Sequence, residues 1–248
     1  LGTKLAFWGD ENFTPLFYLN AATSNSKTSY SRSNSQSLMW NWENTVSYSK
    51  KVGMHDFSAL LGATAYVQNS RGISTTYKEL PASTFEEASM NYNIPDANKI
   101  GSGWESPDHK IASIFGRLNY NYDQKYLFTG ILRRDGSSRF GTNKKFGYFP
   151  SVSVGWVVSK EAFFPEVDWF NFLKIRGSYG VTGNDNIGDF RYLPTIGGGR
   201  NYTFNYDGLE IGYSPNAPAN PDLEWEQTSQ SNIGFEATLF NDFRITFD

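Results

Sequence analysis

Between Tyr148 and Ser159 the chain alternates so regularly that its two faces can be read separately. One register holds Tyr148, Pro150, Val152, Val154, Trp156 and Val158, and the other holds Phe149, Ser151, Ser153, Gly155, Val157 and Ser159. Successive side chains of a strand point to opposite faces, so period two sets an oily, aromatic face against a mostly small and polar one. The pattern recurs. Ala112, Ile114, Gly116, Leu118, Tyr120 and Tyr122 oppose Ser113, Phe115, Arg117, Asn119, Asn121 and Asp123. Leu173, Ile175, Gly177, Tyr179 and Val181 oppose Lys174, Arg176, Ser178, Gly180 and Thr182. Such a chain is all-β, and its oily face must meet either a protein core or lipid.

Composition narrows that choice. Charged residues are only 19% of the 248, while aromatics reach 17%, a load that suits wide two-sided strands better than a compact helical core. The net charge of -3 is spread along the chain and gives no nucleic-acid footprint, so no nucleic-acid partner is expected. Cysteine is absent, which excludes disulfides and thiolate metal sites. No apolar run is long enough for a transmembrane helix. A transmembrane barrel remains open, since its strands need only about 9–11 alternating residues.

The periodicity predicts strands near 38–48, 56–68, 110–123, 126–134, 148–159, 172–182, 229–239 and 243–247, with 2–8 as the tail of another, about eight or nine in all. Short links (49–55, 123–125, 241–242 and the modest 160–171) alternate with long ones (69–109, 135–147 and 183–228). Every other connection thus lies on the same rim, as in an outer-membrane barrel with short turns on one side and long loops on the other. Aromatics flank the turns, with Tyr120, Tyr122, Tyr126, Phe128 and Trp156 where an interfacial belt needs them. Together these features favour lipid over a β-sandwich core for the face of Tyr148, Val152, Val154, Trp156 and Val158. Pro150, without an N–H, is expected at a strand start near the rim. The opening LGTKLAFWGD and closing FRITFD read as cut ends, so the chain is expected to be part of something larger.

The string FGRLNYNYDQKYLFTGILRRDGSSRFG (115–141), followed by Gly147-Tyr148-Phe149-Pro150-Ser151 and Gly155-Trp156, resembles the SusC/RagA-like TonB-dependent outer-membrane transporters. FLKIRGSYGVTGNDNIG (172–188) and HDFSALLG (55–62) are similar to neighbouring segments of that family. The resemblance implies a large antiparallel transmembrane β-barrel of 22 strands preceded by a plug. Residues 1–248 would be a partial barrel domain, with plug and TonB box lying outside this segment. It further implies location in the outer membrane, energy from TonB, a SusD-like surface lipoprotein as lid, and oligosaccharide or peptide as substrate. No cofactor is implied.

Several residues are candidates for that work. Arg133, Arg134 and Arg139, around the turn signal Asp135-Gly136, either project to the lumen or rim to meet plug, loops or substrate, or hold the barrel mouth through salt bridges. Arg117, Lys174 and Arg176 lie on polar registers and are expected in the lumen, lining a solute path or pairing with carboxylates of the plug. Phe115 breaks its polar register and is expected to pack on the plug. Trp104, Tyr202, Phe204 and Tyr206, in long links that also carry Tyr77, Tyr92 and Tyr213, suit contact with substrate or lid, or anchor their own loops. Asn184, Asp185, Asn186 and Asp189 offer oxygen ligands, but their spacing fits no defined calcium loop, and turn chemistry explains it equally well. His55, His109 and Glu86-Glu87 form no catalytic constellation, so no enzyme is expected. A passive porin-like barrel and a soluble β-rich glycan-binding module are the competing readings.

Overall fold

The oily and polar registers become two faces of a hydrogen-bonded sheet. The computed structural model describes residues 1–20, 22–165, 167–203 and 208–248. Among the described residues fourteen strands follow in order: β1 (Gly2–Thr14), β2 (Phe17–Asn20), β3 (Thr23–Asn25), β4 (Ser29–Val52), β5 (His55–Lys78), β6 (Lys99–Glu105), β7 (His109–Tyr122), β8 (Tyr126–Ser137), β9 (Phe146–Val157), β10 (Phe170–Asn184), β11 (Thr195–Gly197), β12 (Ser214–Ala217), β13 (Glu226–Leu239) and β14 (Phe243–Phe247). The principal sheet runs β1-β4-β5-β7-β8-β9-β10-β13-β14, with β6 also paired to β5; β2-β3 and β11-β12 are separate two-stranded ribbons. The antiparallel, up-and-down expectation holds, and the sheet is not closed on itself within this segment.

The chain forms two compact units, 1–41 with 66–109 and 42–65 with 110–248. In the second, register makes the two faces explicit. One row across five strands reads Tyr120, Phe128, Val154, Gly177, Ile233, and the row beside it reads Asn119, Thr129, Ser153, Ser178, Asn232. The next apolar row is Tyr122, Tyr126, Trp156, Ile175, Phe235, Phe247. Leu127 and Ile131 interrupt the polar face. The apolar face is uncovered: Leu61 is 68% exposed, Ile114 63% and Ile233 75%. A contiguous exposed apolar surface of this extent marks an interaction with lipid or protein. On it, Tyr126, Phe128, Val154, Trp156, Ile175 and Ile233 line an apolar groove of about 590 Å³.

In the first unit, β1 pairs with the opening half of β4, and β6 with the closing half of β5. Here β4 and β5 continue well past the predicted strands 38–48 and 56–68; each has 24 residues, roughly 80 Å of extended chain. The predicted long link 69–109 is thereby reduced, because β5 runs to Lys78 and β6 folds back on it. A small core of Tyr30, Leu80 and Ala82, packed by Phe13, Tyr77 and Met90, closes this part.

Two further expectations are corrected. Asp135-Gly136 is strand, paired with Gly147 and Phe146, and the connection follows at 138–145. Pro150 lies inside β9 rather than at its start, though it stands just past Ser151, where the β9–β10 ladder ends.

Candidate functional site

Among the predicted lumen residues, those on β10 come together. Lys174 Nζ lies 3.4 Å from Glu236 Oε1, and Arg176 reaches the same oxygen at 3.1 Å. Arg176 also donates to both carboxylate oxygens of Asp248, from Nη2 to Oδ2 at 2.7 Å and from Nε to Oδ1 at 3.1 Å. Thr129, Ser153, Lys174, Arg176, Ser178 and Asn232 line a cavity of about 430 Å³ on this face. Arg117 is exposed on the same polar register, opposite Ile131.

At the other end of these strands, the arginine cluster divides. Arg133 holds both oxygens of the buried Asp135 at 2.7 Å, donates to Ser113 Oγ at 3.0 Å, and caps the Phe115 ring at 5.4 Å. Phe115, expected against a plug, rests on the bare backbone of Gly62, whose added Cβ would fall 2.3 Å from the ring. Arg134 is the next residue along the strand and takes the opposite face. Its guanidinium lies 3.7 Å above the Phe146 ring and near Tyr148, on the apolar register rather than the polar one. Arg139 binds Asp189 at 3.3 Å and the Asp185 carbonyl at 3.0 Å, while Ser137 Oγ donates to Asp185 Oδ2 at 2.7 Å. Asn184 donates to Glu226, and its Oδ1 accepts from the Asn186 amide. Of the oxygens that raised the calcium question, those of Asp185 and Asp189 tie the 185–189 loop to the β8 end, and that of Asn184 closes a turn within the loop. Phe140, Phe149 and Trp225 form a buried cluster beside them, with Trp225 Nε1 donating to the Lys145 carbonyl. This cluster locks three chain segments.

The turn end is different in character. Glu161 accepts from Tyr126 Oη, from Trp156 Nε1 at 3.0 Å, and from Lys125 at 3.4 Å. The Tyr126 hydroxyl first, then the Trp156 indole and the Lys125 ammonium, hold its carboxyl below the usual range. His55 Nδ1 lies 2.9 Å from Tyr120 Oη amid Phe57 and Tyr122, and the His109 ring stands edge-on to Tyr66. Both histidines belong to aromatic packing.

Trp104, predicted in a loop, is on β6 and 48% exposed. Tyr202 sits in an isolated bridge with Glu210 and is exposed; Phe204 and Tyr206 lie outside the described residues. One aromatic that sequence reasoning passed over is Trp8. It pairs with Ser35 on β4, while the Gly72 backbone brings Ser35 and Trp104 together. Only the strand register reveals this. Among the described residues no group of three His, Asp or Glu side chains is placed to hold a metal ion.

Residues 3–248 match the family described as TonB dependent receptor-like, beta-barrel. The chain belongs to that family. Within it, the segment is SusC/RagA-like: it is 34% identical over 208 residues to the TonB-dependent receptor SusC of Bacteroides thetaiotaomicron, covering 81% of the segment and 19% of the relative. It is 40% identical over 148 residues to TonB-dependent receptor P39 of Formosa agariphila (60% of the segment, 14% of the relative) and 35% over 210 residues to P26 of that organism (82% and 20%). The fold is similar to that of the RagAB peptide importer in an open-open state, with TM-score 0.73 and 25% identity, across 97% of the segment and 26% of that chain. The segment therefore spans about a fifth or less of the curated relatives it matches.

Proposed function

We propose that this segment is part of the wall of an outer-membrane importer that moves oligosaccharides or peptides inward, energised through TonB and served by a SusD-like surface lipoprotein as lid. One observation carries the reading: a single sheet exposes a broad aromatic and aliphatic face while its back presents Asn, Thr, Ser, Lys and Arg. Lipid is the medium that suits the first face. Water and solute suit the second. Open strand edges are not satisfied by lipid, so such a sheet belongs in a closed wall, and a barrel of the family's width is too wide to fill with its own side chains and needs a plug to gate it. The wall's chemistry is binding and passage, through ion-paired polar-face groups and tied loops.

The test is mild-detergent capture of the tagged full-length protein from outer membranes, with each co-purifying chain identified by mass. Co-purification of a stoichiometric surface lipoprotein supports the paired importer. A barrel that purifies alone and passes solute without TonB is a passive pore. Recovery from the soluble fraction refutes the wall.

A further inference from the structure

Two exposed indoles stand in one row across the first unit's sheet. Trp8 on β1 lies opposite Ser35 on β4. A Cβ on Gly72 of β5 would fall 2.6 Å from Ser35 Oγ and 2.7 Å from Trp104 Nε1, and Gly72 pairs with Trp104 on β6. The row thus reads Trp8, Ser35, Gly72, Trp104, with the tryptophans 44% and 48% exposed. Three strand-to-strand steps separate them, about 14 Å. Directly opposed residues of an antiparallel pair share a face, so both indoles rise from the same side over a floor of Ser and Gly.

The flanking rows extend this floor. Asp10 pairs with Ser33 and Ser74 with Ser102 on one side; Ala6 pairs with Ser37 on the other. Ser37 donates to the Asn69 carbonyl at 3.1 Å, so its place is fixed. On β5 Gly72 alternates in step with Gln68, Ser70, Ser74 and Thr76, a polar register. Asp10 is the one charged residue among those named.

We infer that this row is a saccharide-binding platform for a neutral, linear oligosaccharide. Rigid aromatic faces give large contact area with few torsions to freeze, and the apolar faces of sugar rings are what an indole can cover. Hydroxyls between them both donate and accept, which matches a ligand whose groups do the same. A peptide brings charged termini, and the three rows named carry no cation for its carboxylate; Lys4 lies one row further along the same register. The missing side chain at Gly72 lets the Trp104 indole lie against the backbone; any larger residue lifts it. The inference rests on the import reading and narrows its substrate class.

The experiment uses the full-length receptor in detergent, titrated calorimetrically with maltohexaose, cellohexaose, mannohexaose and hexa-alanine. Co-purification of the lid is scored on the same preparation, and heat-modifiable gel mobility checks the barrel in every variant. At least one hexasaccharide is expected to bind. Trp8→Ala and Trp104→Ala are each expected to weaken it roughly thirtyfold, the size of a hot-spot truncation. Gly72→Val should weaken it comparably with both indoles present, and Trp104→Phe should retain part of the affinity. Binding that survives the double alanine variant, Trp-dependent binding of hexa-alanine alone, or no hexasaccharide binding overturns the platform. If the lid still co-purifies, the import reading stands without it; if neither binding nor lid is found, both fall.

Discussion

Val152 tests which face meets lipid. It lies midway along the apolar register of β9, four residues from Tyr148 and four from Trp156, with Gly130 and Tyr179 beside it. Eight residue steps span about 27 Å of strand, or roughly 21 Å across a bilayer at a tilt near 40°. Val152 therefore stands near the midplane, where an outward arginine costs about 2–4 kcal/mol. Ser151, its neighbour, faces the other way, opposite Gly180 and Ile131. Ser151→Arg gives up one weak hydroxyl contact to the Tyr179 carbonyl and is expected to cost within about 1 kcal/mol. The assay is denaturant unfolding of the full-length receptor reconstituted in phospholipid vesicles, with the two variants side by side. Equal losses, or a larger loss for Ser151→Arg, would mean that the oily face does not look into lipid.

Other outcomes follow from particular contacts. Gly183→Ala would place a Cβ 2.1 Å from the Phe149 ring, and such overpacking is expected to cost about 1–3 kcal/mol; denaturant midpoints should show recovery when Phe149→Leu is added. Glu236 serves both Lys174 and Arg176, so a double-mutant cycle of Glu236→Gln with Arg176→Gln should give a coupling of about 1 kcal/mol, and additivity would show that the pair does not interact. The Glu161 carboxyl is held below its ordinary value of 4.5 by Tyr126, Trp156 and Lys125. A depressed carboxylate contributes stability above its unfolded pKa, and that stability is lost as pH falls through the lower folded value. The unfolding curve of Glu161→Gln should lack this acid limb, visible as a smaller difference between pH 7 and pH 3 than in wild type.

What the sequence disclosed depended on where one face was oily. In β4 the exposed Leu38, Trp40, Trp42, Val46 and Tyr48 share a register, and that stretch was legible as a strand. Its first half alternates Ser29, Ser31, Ser33, Ser35 and Ser37 with Tyr30, Arg32, Asn34 and Gln36. Both faces there are largely polar, so period two leaves no trace, and the strand was hidden although its hydrogen bonding to β1 is regular. β6 escaped for the same reason. The Asp135-Gly136 turn signal lost to tertiary pairing, since Gly136 is where the Phe146 ring lies. Among the site residues, residue type was enough to bring Lys174 and Arg176 to the polar face. Chain adjacency alone should have separated Arg133 from Arg134, because neighbours on a strand cannot share a face. Trp8 in one row with Trp104 needed the pairing of four strands, which no local pattern contains.

The short turns bear on how such a wall assembles. The turn after β7 holds Asp123 and Gln124 at φ 51° and 52°, and the turn after β13 holds Phe240 and Asn241 at 52° and 62°. Both connect their strands in three residues, and both begin with two left-handed residues in succession. By contrast, β10 and β13 meet across residues 185–225, a closure that costs roughly 2 kcal/mol more in chain entropy than a three-residue turn. Hairpins β7–β8 and β13–β14 can thus form as local units early, while the β10–β13 seam waits for a distant partner. Folding order would then run pairwise along the turn side, and insertion into a bilayer would proceed by hairpins rather than by single strands.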